Sequence, residues 1–173
     1  MIPLKKNKSS KSAWEAALDC LSRRALTKLE LETRLNNKGY ESGEIQSAVD
    51  KLLGYGYLND HELALTYAKS RLHRYSRRRV TVDMRNRGID ADLIEQVLEE
   101  VYSWDEEANL CLALAQKWRV QEEQRWEEKA LKGSDKKSVP LELWVQQRVV
   151  RKLIQRGYPS DIVQNVLAKM RIE

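Results

Sequence analysis

Three glycines, each preceded by a basic residue, recur in one apolar setting: Lys38-Gly39-Tyr40, Arg87-Gly88-Ile89 and Arg156-Gly157-Tyr158. Four residues before each glycine stand Leu35, Met84 and Leu153, and eight before stand Leu31, Val80 and Val149. After the glycines come Ile45, Ala48, Val49 and Leu52, then Ile94, Val97, Leu98 and Val101, then Val163, Val166, Leu167 and Met170, at matching offsets. Steps of three and four put these residues on one helical stripe, and a glycine between two such stripes takes the left-handed conformation that ends a helix. The chain therefore reads as helix, glycine stop, helix, three times over.

Local signals support those boundaries. Thr27-Lys28-Leu29-Glu30 is a capping box opening the first repeated helix, Asp90 or Asp92 can cap after Gly88, and Ser160 follows Pro159 where the last helix should begin. A further helix precedes each pair, over residues 13–24, 60–75 and about 105–128. The expected architecture is all-α: a basic, flexible arm over 1–12, then three-helix modules over 13–58, 59–103 and 104–173. Composition agrees, with three prolines, seven glycines and no phenylalanine among abundant helix formers. Gly54, Gly56 and Asn59 punctuate the first module junction, with Tyr57 and Leu58 as plugs and Asp60 as N-cap of the next helix.

The third module is longer by about twenty residues. Trp104, Ala108, Cys111, Ala115 and Trp118 form a stripe that can pack, whereas residues 119–132, with Trp126 among them, are mostly charged or polar and are expected to project into solvent. Trp126 is either part of that solvated helix or a docking residue. Lys132 to Ser138 reads as a flexible linker, and Pro140 suits a helix start.

The net charge of +5 is unevenly spread. Residues 66–90 carry eight Lys or Arg against Asp83 and Asp90, while residues 91–110 carry seven acids and no Lys or Arg. A core cannot absorb Arg74, Arg77, Arg78 and Arg79 within six residues, and a solvated helix would interleave acids, so these arginines point to an outside partner. Phosphates and acidic side chains both fit a guanidinium fork. A second basic face comes from Arg148, Arg151, Lys152 and Arg156 in the third module, with Arg34 and Lys38 in the first. Repetition would align these faces along a concave surface. The acids of 91–110 are read as solvated or as partner contacts.

Two stretches resemble the RecX regulatory family. One is Gly56-Tyr57-Leu58-Asn59-Asp60 with Leu63, Ala64, Tyr67 and Arg71; the other runs from Arg79-Val80 through Met84 to Arg87-Gly88-Ile89, then Ile94 and Leu98. The resemblance covers roughly residues 13–172 and implies a curved solenoid of three-helix repeats that lies along a RecA filament and inhibits its strand exchange, ATP hydrolysis and co-protease activity. On that reading the filament- or DNA-binding residues are Arg71, Arg74, Tyr75, Arg77, Arg78, Arg79, Arg85, Arg87, Arg148, Arg151, Lys152 and Arg156. Arg71 fits a partly buried bridge to an acid equally well. The family favours glycine just before the second helix of the central module, where this chain has Ser76, able to cap that helix instead; Asn59 stands where the family often has aspartate.

Nothing in the sequence assembles a catalytic centre. His61 and His73 are isolated, Cys20 and Cys111 fall in apolar helical patterns as reduced core residues, and neither metal-ligand spacing nor a glycine-rich phosphate loop occurs. The expectation is a non-enzyme without cofactor or metal, monomeric and cytoplasmic, whose partner is the RecA filament, with direct contact to the single- or double-stranded DNA inside it left open. No run of eighteen apolar residues is present, so no membrane contact is expected. The rival reading is a direct nucleic-acid-binding protein of helix-turn-helix type, since helix, glycine turn and helix is also that motif's outline.

Overall fold

The computed structural model describes residues 11–131 and 140–172, and its described residues are helical throughout with short turns. In chain order the helices are α1 (Ala13–Leu21), α2 (Lys28–Asn37), α3 (Ser42–Gly54), α4 (Asp60–Arg71), α5 (Arg77–Asn86), α6 (Ala91–Val101), α7 (Trp104–Leu131), α8 (Leu141–Gln155) and α9 (Ser160–Ile172). Two compact units result, one of Met1–Lys69 with Val82–Glu100, the other of Ser70–Thr81 with Val101–Glu173. The N-terminal arm up to residue 10 and the linker read at Lys132 to Ser138 lie outside the described residues.

The repeat spacing is reproduced as a buried stripe. Leu31 and Leu35, Val80 and Met84, and Val149 and Leu153 are all completely buried. Ten of the twelve apolar positions after the glycines are buried, and Val101 and Leu167 are half-buried. In the first unit α1, α2 and α3 close on a core of Ala17, Cys20, Leu31, Leu35, Val49 and Leu52. In the second, α7, α8 and α9 close on Cys111, Ala115, Trp118, Val149, Leu153 and Val163. Both cysteines are free and buried.

Each repeated glycine stops its helix in the same way. Gly39, Gly88 and Gly157 have φ of 88°, 78° and 86°. The residue after each glycine donates its N–H to the carbonyl of Leu35, Met84 or Leu153, closing a Schellman turn, and that residue (Tyr40, Ile89 or Tyr158) is buried beneath it. The capping box at Thr27 and Glu30 is formed, and Asp90 rather than Asp92 caps α6 by accepting the Asp92 N–H at 2.9 Å.

Several local expectations are corrected. Helix α4 ends at Arg71, not 75, because Ser76 serves the next helix: its hydroxyl accepts the Arg79 N–H at 3.1 Å, and its own N–H goes to the Arg156 carbonyl. Asn59, not Asp60, caps α4 through the Glu62 N–H at 3.0 Å, which frees the Asp60 carboxylate to accept the Lys28 N–H at the start of α2. Burial raises the Asp60 carboxyl above its ordinary range. Leu58 plugs the junction, but Tyr57 is exposed, with its ring against the exposed Tyr55. Helix α7 continues through the charged stretch to Leu131, and that stretch does not simply project into solvent, since Glu122 is 1% exposed and Trp126 is half-buried.

Candidate functional site

The second unit brings together two segments that the sequence keeps far apart, the arginine-rich turn at 71–79 and the basic flank of α8. Trp144, Arg148, Lys152 and Arg156 follow one another at four-residue steps, so they share one flank of α8 beside its core residues Val145, Val149 and Leu153. That flank meets α7 in reverse order, as antiparallel neighbours must. Arg156 lies over the Trp118 ring at 5.5 Å, Lys152 reaches Glu122 at 2.7 Å and also covers Trp118, and Lys129 lies over Trp144 at 4.9 Å. Arg148 stacks on Trp144 at 4.4 Å.

Helix α7 carries a carboxylate at each end of its buried stripe, which runs through Glu107, Cys111, Ala115, Trp118 and Glu122. Burial alone would raise the Glu122 carboxyl, but the Lys152 ammonium and the Arg125 guanidinium, bonded at 2.7 and 2.6 Å, outweigh it and hold the group below the ordinary carboxylate range. Glu107 receives the backbone N–H of Arg77, at 2.9 Å, and burial pushes its carboxyl up. Burial also pushes the Cys111 thiol up to about 12, which makes it inert as a nucleophile. The hydroxyls of Tyr102 and Tyr158 are raised for the same reason.

The arginine segment divides by role. Arg77 is half-buried and spends its guanidinium on the Tyr102 carbonyl at 2.9 Å. Arg71 is exposed, with its guanidinium 5.7 Å from the Tyr75 ring centre. Tyr75 is half-buried, and Arg156 covers it at 5.1 Å. Arg74, Arg78 and Arg79 are exposed, as is Arg151 on α8. The remaining two candidates belong to the first unit. Arg85 is exposed, whereas Arg87 makes a two-point pair with Glu30, at 3.1 and 3.0 Å, and lies over the Tyr67 ring at 5.6 Å. Glu30 raises the Arg87 guanidinium, and Arg87 in turn helps hold the Glu30 carboxyl low against the opposing effect of burial.

Sequence reasoning reads Glu107 as one of a run of acids that are solvated or partner contacts, and Glu122 as part of a solvated helix. Their spacing was the available signal, because steps of four, four, three and four through Cys111, Ala115 and Trp118 put both on the apolar stripe. Among the described residues, no group of three or more His, Cys, Asp or Glu could hold a metal ion, and no helix is long and apolar enough to cross a membrane.

Comparison with known proteins decides the family. The RecX first three-helix domain matches residues 13–52 and the second matches residues 59–98. The regulatory protein RecX of Chromobacterium violaceum is 30% identical over 158 residues, covering 91% of this chain and 90% of that protein. The chain belongs to the RecX regulatory protein family.

The RecX of Caldanaerobacter subterraneus subsp. tengcongensis is 33% identical over 109 residues, 62% of this chain but only 55% of that protein. The crystal structure of RecX from Lactobacillus salivarius shares the fold with a TM-score of 0.69 at 19% identity, covering 93% of this chain and 96% of that one. The two domain matches end at residue 98, so α7, α8 and α9 are tied to the RecX family by the similarity to the Chromobacterium violaceum protein over 91% of the chain.

Proposed function

We propose that this RecX-family chain binds the RecA recombinase filament and restrains it, lowering strand exchange, ATP hydrolysis and co-protease activity. It acts as a cytoplasmic monomer without cofactor, membrane contact or chemistry of its own. The observation that carries this reading is the exposure of Arg74 and Arg78, with Arg151 on α8, in the same unit in which Arg148, Lys152 and Arg156 lie against rings and a carboxylate. Arginine left outward in this way suits a partner bearing phosphates or clustered acids, and a nucleoprotein filament offers both.

The test is the single-stranded-DNA-dependent ATPase of RecA, measured with and without the protein at rising stoichiometry. Slowing is expected as one protein per filament subunit is approached. Reversal of Arg74, Arg78 and Arg79 to Glu should abolish the slowing while leaving helicity intact, since none of the three is buried. If about four cations meet the phosphates of a single strand, log K should fall with log salt at a slope of about −3. An unaffected ATPase at low salt would overturn the proposal. Equal affinity for naked duplex DNA and for the filament would favour the helix-turn-helix reading instead.

A further inference from the structure

Arg156 grips the arginine-bearing turn by its backbone on two sides. Its Nη1 donates to the Arg74 carbonyl at 2.9 Å, across 82 positions of sequence, and its own carbonyl accepts the Ser76 N–H at 3.0 Å. Its guanidinium is placed against two rings, 5.1 Å from the Tyr75 centre and 5.5 Å from that of Trp118. The neighbouring Gly157 closes the grip. A Cβ there would come within 2.7 Å of both the Ser76 hydroxyl and the Arg79 Cβ. Residues 156 and 157 thus fix where Arg74 leaves the turn and where α5, carrying Arg78, begins.

A guanidinium used in this way is a poor outside ligand. Two aromatic rings lie against it and one donor is already spent, whereas arginines that meet phosphate present an open, planar fork. Arg74 and Arg78 have the complementary character, with exposed side chains on a backbone that is held. Immobilising a backbone residue that would otherwise be loose is worth about 1–2 kcal/mol, or about 5- to 30-fold in an equilibrium.

We infer that Arg156 and Tyr75 are positioning residues: they set the geometry at which Arg74 and Arg78 meet the polyanionic partner, and they do not touch it. This rests on the filament-binding reading above. It predicts that Arg156 acts through Arg74 and Arg78, so their contributions are coupled and not independent.

The experiment measures the affinity of the full chain for RecA filaments on single-stranded DNA. The variants are Arg156→Ala, Tyr75→Ala, Tyr75→Phe, the pair Arg74→Ala with Arg78→Ala, and that pair combined with Arg156→Ala or with Tyr75→Ala. Circular dichroism and thermal unfolding check each fold. Arg156→Ala and Tyr75→Ala should each weaken binding about tenfold, within the range above, and Tyr75→Phe should restore it because the ring is kept. The Arg74 and Arg78 pair should lose much less affinity on the Arg156→Ala background than on the wild type, the mark of residues acting as one unit. If the losses instead multiply, Arg156 is an independent contact and the inference fails while filament binding stands. If Arg156→Ala does not fold, the cycle with Tyr75→Ala decides by the same criterion. A wild-type chain that does not bind refutes the filament reading itself and the inference with it, whereas a pair variant that binds as wild type removes Arg74 and Arg78 as contacts and refutes the inference while filament binding stands.

Discussion

Replacing Glu107 and Glu122 of α7 by Gln, one at a time, should move stability in opposite directions, although both carboxylates are 1% exposed and both belong to the same buried stripe. Glu122 accepts from Lys152 at 2.7 Å and from Arg125 at 2.6 Å, with side chains 26% and 58% exposed. The Lys152 bond is charge-assisted and mostly buried, so it contributes about 1.5–3 kcal/mol, while the exposed Arg125 adds only a few tenths. Glu122→Gln should therefore cost about 2–3 kcal/mol near neutral pH. Glu107 has a backbone N–H at 2.9 Å, which an amide oxygen accepts as well, and its carboxyl is raised by burial. Glu107→Gln should then gain stability at pH 8, by up to about 1 kcal/mol, because it removes the cost of burying an ionised group.

The pH dependences separate the two further. The folded value of Glu122 lies below the unfolded one, so its contribution is complete above the ordinary carboxylate range and is lost as pH falls through the folded value; the cost of Glu122→Gln shrinks toward acid. The folded value of Glu107 lies above the unfolded one, so its penalty is absent in acid and grows as pH rises through the folded value; the advantage of Glu107→Gln grows with it. Urea unfolding at pH 4 and pH 8 reads both trends. A Glu107→Gln variant that loses as much stability as Glu122→Gln at pH 8 would refute this account of the α7 stripe.

Gly88→Ala and Gly157→Ala should each cost about 2 kcal/mol or more in chemical unfolding, because φ is left-handed and the new Cβ would press on Leu29 or on Ser76 and Arg79. Gly54→Ala, helical and with open space around it, should be neutral or stabilising by up to about 1 kcal/mol. Leu35→Asp, Met84→Asp and Leu153→Asp should behave alike and severely, each burying an unpaired carboxylate at a cost of several kcal/mol, visible as loss of the cooperative thermal transition. Replacing residues 123–137 by a short Gly/Ser linker should leave a folded chain, since Cys111, Ala115 and Trp118 lie upstream, but at a cost of about 1–2 kcal/mol from the lost Arg125 and Lys129 contacts. An unchanged melting temperature would show that these contacts add nothing.

The expectation that four clustered arginines need an outside partner treated them as a set, and the fold divides them. Arg77 points to the Tyr102 carbonyl while Arg74, Arg78 and Arg79 stay exposed. Arg87, which the sequence groups with them, is spent on Glu30 in the first unit. Lys152 and Arg156, read as a second binding face, are largely taken up by Glu122, Trp118 and Tyr75. Charge density marked the segment. It could not say which charges were already partnered, because a guanidinium over a ring and one in water look identical as letters.

By itself the sequence determined the helical repeat: the glycine stops, the buried stripes at Leu35, Met84 and Leu153, and the caps at Thr27 and Ser76. These follow from interactions within a few residues, where helical geometry, left-handed φ and a side-chain hydroxyl act locally. Only the tertiary structure decided the fate of the charges. Arg87 finds Glu30 across 57 positions, Lys152 finds Glu122 across 30 and Arg156 finds the Arg74 carbonyl across 82, separations at which no local pattern links the partners. Whether a given arginine is a strut or a ligand is settled by which helix packs beside it, because the energy of a charge depends on what surrounds it and not on its neighbours in sequence.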